Sequence, residues 1–126
     1  MARLPGTADE IRARVPDVLA AWDYMRDNVL RGGFLDAELK RLCFRYLAED
    51  PDTMDIERFD GRERAALEWA YAIAWDSDRA DDELWERLHA YFTEPELVEL
   101  GCSIGFALGQ QHWERTLGLP AQAGIS

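Results

Sequence analysis

Apolar residues in this chain recur at three- and four-residue spacing, and no stretch alternates singly, so the periodicity is helical throughout. The fullest case is LVELGCSIGFALGQQHWERTLG, residues 97–118, which carries glycines at 101, 105 and 109. Glycine in a helix interior costs ~1 kcal/mol relative to alanine. At about 100° per residue, these glycines share one face with Val98, Leu108 and His112. A face of small residues lets another helix backbone approach closely. The spacing therefore predicts a close-packed face with His112 where it ends, rather than on an outer surface.

Local punctuation divides the chain into six helices. Thr7 with Glu10 forms a capping-box pattern that opens a short first helix. Pro16 starts a second, PDVLAAWDYMRDNVL, which Gly32 and Gly33 stop. Asp36 caps a third, AELKRLCFRYLAE, with Leu39, Leu42, Cys43, Tyr46 and Leu47 on its apolar face. Residues 49–61, acidic and containing Pro51, form the obvious connector. Asp60 with Glu63 predicts a box for the fourth helix, RERAALEWAYAIAWD, and Asp81 or Asp82 starts the fifth, ELWERLHAYF. Thr93 with Glu96 is the clearest box and opens the last helix. The fold expected is all-α, within a single domain spanning 1–126.

The charge balance narrows the partners. There are 25 acidic residues against 14 Lys and Arg, a formal net of −11, with no basic run or stripe. Binding to a phosphate backbone needs such a footprint, so no nucleic-acid partner is expected, nor an anionic membrane surface. Four charged residues between Ala8 and Arg14 argue against a signal peptide, and no run reaches the ~18–20 apolar residues of a membrane span. Cys43 and Cys102 have no CxxC or metal-site spacing and read as reduced, buried cysteines of a cytoplasmic protein.

Two residues stand out as candidates for chemistry. Glu68 is the only charged residue in AALEWAYAIAW, a segment apolar nearly all round. A buried carboxylate suits acid–base work, but Glu68 can also pair with Arg64 one turn earlier. His112 ends the glycine row and can act as acid or base, or sit as a core-edge histidine bonded to a carbonyl. Gln110, Gln111, Trp113, Tyr71 and Trp75 are candidate lining, and Tyr46 is a further hydroxyl. Arg41 and Arg45, one turn apart, are either a carboxylate clamp or ordinary surface arginines.

No metal or cofactor is expected. Glu86 and His89 form one ExxH pair, whereas a di-iron bundle uses two with further glutamates. Counted as a calcium loop from Asp76, the acidic turn has Asp81 where glycine is required and Arg87 where glutamate is required.

Several segments together resemble the carboxymuconolactone decarboxylase / alkylhydroperoxidase D-like family. They are RLP near the start, LRGGFLDAELKRL, ERAALEWA, DDELWERLHAYFTEPELVEL and the closing LGLP, in the family's order and spacing. The resemblance implies an all-α fold assembled as trimers or hexamers. It does not carry over the redox machinery. The CxxC-xxx-H helix of the peroxidase members is missing between RYLAEDPDTMDIERF and DGRERAALE, the relay glutamate falls on Arg41, and Cys43 matches no catalytic cysteine. The decarboxylase branch implies cofactor-free acid/base chemistry on a small organic acid, lactone or related carbonyl compound.

Two readings of function follow. One is a cofactor-independent enzyme with His112 as general acid/base and Glu68 as its partner. The other is a non-catalytic oligomeric binding or scaffold protein that kept the fold without the redox helix. The enzyme requires His112 and Glu68 to face one cavity within proton-transfer reach.

Overall fold

The computed structural model describes residues 3–49 and 54–119. Its helices are α1 (Ala8–Arg12), α2 (Pro16–Met25), α3 (Ala37–Ala48), α4 (Gly61–Ala74), α5 (Asp82–Tyr91) and α6 (Glu94–Thr116). Among the described residues there is no strand, so the fold is all-α. None of the helices described is long and apolar enough to cross a membrane.

Most of the boundaries follow from capping chemistry. Thr7, Asp36 and Asp81 each accept the backbone N–H three residues on, from Glu10, Leu39 and Leu84. At Thr93 the box closes both ways, with Glu96 accepting the Thr93 N–H at 2.8 Å. Asp60 departs from expectation: its side chain caps nothing, and Gly61 begins α4 with φ +58°, which only glycine adopts readily. The second helix also differs at its end, widening into a π-helical turn over Arg26–Leu30. Of the connector, residues 50–53 lie outside the described residues, as does Pro120 of the closing LGLP; a single 3₁₀ turn, Ile56–Arg58, precedes α4.

The main core lies between α3, α4, α5 and α6. Cys43, Leu47, Ala66, Leu67, Leu88, Leu100 and Ile104 are almost wholly buried there. The run of alanines on α4 (Ala65, Ala66, Ala70 and Ala72) is buried, letting neighbouring side chains press close to that helix. A second cluster joins α2 to α3 and α6 through Trp22, Leu30, Phe44 and Ala107, with Trp22 stacked on Phe106 at 5.8 Å. Full burial of a side chain the size of Leu30 or Phe44 contributes ~1.5–3 kcal/mol.

Candidate functional site

The cavity that brings three of the expected residues together, Tyr46, Glu68 and Tyr71, opens between α3, α4 and α5. It has a volume of about 650 Å³. Glu68 and Tyr71 reach it from α4, Tyr46 from α3, and Leu84 and Arg87 from α5, while Met54, Ile56, Arg79, Asp81 and Glu83 complete it. The spacing on α4 sets this up, since Glu68 and Tyr71 lie three residues apart on one side. Trp75 follows one turn later, its ring tilted against Tyr71 at 5.1 Å and edge-on to Tyr46 at 5.7 Å.

Glu68 is already engaged within this cavity. Its Oε2 accepts from Arg87 at 2.5 Å, and its Oε1 lies 3.6 Å from Arg64 Nε. The pairing with Arg64 is the i, i+4 alternative that the sequence left open, and Arg87 adds a second guanidinium from α5. Two other polar residues are committed as well. Asp81 caps α5 through the Leu84 N–H at 2.9 Å, and Arg79 lies over the Tyr71 ring at 4.7 Å with Asp76 at 3.5 Å. Arg64 Nε and Arg87 Nε are both shielded from water with no hydrogen-bond acceptor, and Arg87 Nε lies 4.0 Å from Glu83. Shielded N–H groups of this kind are rare and call for an explanation.

His112 lies elsewhere. It is exposed on α6 and is not among the residues lining the cavity. The glycine face it ends is open within this chain, with nothing within 4 Å of a Cβ placed at Gly105 or Gly109. Only Gly101 is closely packed, where a Cβ would meet Trp69 Cη2 at 2.8 Å. The expected close-packed face is therefore corrected: it is met by a tryptophan at one turn and otherwise faces outward.

The remaining lining candidates divide in the same way. Gln110 accepts two bonds from Arg12, at 2.9 and 3.3 Å, and the Arg12 guanidinium also sits 4.9 Å from the Trp113 ring. Gln111 is buried and donates to the Phe44 carbonyl at 3.0 Å. These three tie α6 to its neighbours and line no part of the cavity. Arg41 is exposed on α3, as is Arg45, and neither reaches the cavity.

The cysteines also differ from expectation in part. Cys43 is fully buried, and desolvation pushes its thiol up to about 12, whereas Cys102 is exposed rather than buried. His89 is exposed, with its ring 5.8 Å from Trp85.

Three charged residues that the periodicity did not single out, Arg12, Lys40 and Glu114, prove to be buried. Arg12 is 2% exposed and reaches Glu114 at 3.1 Å; Lys40 is 0% exposed and reaches Glu99 at 3.1 Å. A signal for Lys40 was present, since it falls in line with Cys43 and Leu47 on the apolar face of α3.

Comparison of the chain with protein-family models, with curated proteins and with solved structures finds no match.

Proposed function

We propose that this chain is a binding protein for a small, partly apolar organic acid, held in the cavity between α3, α4 and α5, and that it is a divergent relative of the carboxymuconolactone decarboxylase / alkylhydroperoxidase D-like family. The observation that carries the binding reading is the cavity of about 650 Å³ itself, with the half-buried Arg87 guanidinium on its wall beside Tyr46, Tyr71, Met54 and Ile56. A ligand carboxylate pairs with the exposed part of the Arg87 guanidinium, while Tyr71, Tyr46, Met54 and Ile56 offer surface to an apolar body. What supports binding over acid/base turnover is the disposition of the two expected catalytic groups. Glu68 is turned to two guanidiniums, and His112 lies off the cavity. The family reading rests on the order of the resembling segments and on the all-α fold.

Titration calorimetry with benzoate tests the proposal. Arg87→Lys keeps the charge but removes the planar guanidinium fork that pairs with a carboxylate. A hydrogen bond to a charged group is worth ~1.5–3 kcal/mol, so this change weakens binding by about tenfold or more. Tyr71→Ala weakens it through lost contact area. Absence of binding to the wild-type chain at millimolar benzoate overturns the proposal, as does unchanged affinity in Arg87→Lys.

A further inference from the structure

The charges on the cavity wall narrow the kind of acid it takes. Three carboxylates line it, Glu68, Asp81 and Glu83, against two guanidiniums, Arg79 and Arg87. Arg64, beside the other oxygen of Glu68, brings the two signs only to balance. The chain around them is acidic, with a formal net of −11. An acid carrying a single negative charge therefore meets no positive surplus here. A ligand carrying both charges meets both signs on the wall.

The partners of these groups show where the second charge goes. Glu68 is held between Arg87 and Arg64, Arg79 by Asp76 and the Tyr71 ring, and Asp81 accepts the Leu84 N–H. Glu83 differs. Among the described residues its ion pair is a long one, 4.0 Å to Arg87 Nε, and its side chain is 81% exposed. It lies four residues before Arg87 on α5, so the two side chains stand one turn apart on the same side of the helix. Carboxylate and guanidinium this close suit an anion and a cation borne on one carbon, as in an α-amino acid, rather than at the two ends of a long chain. Tyr46, Tyr71, Met54, Ile56 and Leu84 then remain for an apolar body.

We propose, resting on the binding reading above, that the acid taken by this cavity is a zwitterionic α-amino acid with an aromatic or branched apolar side chain. Its carboxylate pairs with Arg87, and its ammonium donates to Glu83.

Titration calorimetry of the full chain at pH 7 tests this with three probes. They are L-phenylalanine, hydrocinnamate, which lacks only the amine, and phenethylamine, which lacks only the carboxylate. Phenylalanine is expected to bind about threefold or more tighter than either, the gain available from an exposed ion pair. Glu83→Gln removes the advantage of phenylalanine over hydrocinnamate and leaves hydrocinnamate binding no weaker. Because Glu83 is exposed, the variant keeps the fold, and its hydrocinnamate binding checks that directly. Hydrocinnamate binding as tightly as phenylalanine overturns this inference while the binding reading stands. An advantage for phenylalanine that survives Glu83→Gln overturns it as well. Absence of binding by all three probes overturns the binding reading together with it.

Discussion

Arg12 and Glu114, 102 residues apart in sequence, meet at 3.1 Å with side chains only 1% and 2% exposed. Arg12 also lies over the Trp22 ring at 4.0 Å and donates to Gln110, so α1 is fastened to α2 and α6 through one guanidinium. Removing one member of a buried pair leaves the other charge uncompensated, at a cost of ~3–5 kcal/mol. Arg12→Ala should lower the urea midpoint accordingly. The double change Arg12→Met with Glu114→Leu should recover much of the loss, because it removes both charges and keeps the volume.

The Lys40–Glu99 pair makes stability depend on pH. Lys40 donates to the carbonyls of Val29 at 2.6 Å and of Gly32, and to Glu99; Glu99 in turn accepts the N–H groups of Phe34 and Leu35, each at 2.8 Å. Desolvation works to raise the Glu99 carboxyl, but the Leu35 and Phe34 N–H groups and the Lys40 ammonium outweigh it and hold the carboxyl below its ordinary 4.5. A carboxyl depressed in the folded state stabilises the protein above its unfolded value, and that contribution is lost as pH falls through the folded value. Chemical denaturation should find Glu99→Gln less stable than wild type at pH 7, with the gap narrowing below about pH 4.5.

Two glycines on one helix should respond in opposite directions. Gly101→Ala forces a Cβ to within 2.8 Å of Trp69 Cη2, and overpacking of this kind costs ~1–3 kcal/mol. Gly105→Ala enters open space, so helix propensity alone should stabilise a single copy by up to ~1 kcal/mol. Thermal denaturation at high dilution separates the two effects.

The thiols should differ sharply in reactivity. Cys43 is buried with its thiol pushed up to about 12, while Cys102 is exposed. Ellman's reagent should titrate one thiol in the native chain and a second only after unfolding. Cys102→Ser should abolish the native reaction.

Much of the fold is legible in short-range sequence because capping acts over three residues. Thr7, Asp36, Asp81 and Thr93 each mark a helix start. The Arg64–Glu68 pair is equally local, one helical turn. What the sequence hides is long-range. Glu114 is 102 residues from Arg12, and Glu99 is 59 from Lys40, so neither partner can be found by local spacing. Arg87 reaches Glu68 across 19 residues and a turn. That contact engages the carboxylate which looked available for proton transfer. The glycine row misled for a different reason: a helix wheel places residues on a face, but the chain alone does not say what covers that face.

The most direct measurement is a ¹H–¹⁵N NMR titration with benzoate, following the tryptophan indole N–H signals. Trp75 stands against Tyr46 and Tyr71 beside the cavity, and Trp113 stands by Arg12 on the His112 side of α6. Binding in the proposed cavity should shift the Trp75 indole signal and leave that of Trp113 in place, and His112→Ala should not alter this pattern. Movement of Trp113 in place of Trp75, or no movement at millimolar benzoate, would contradict the account.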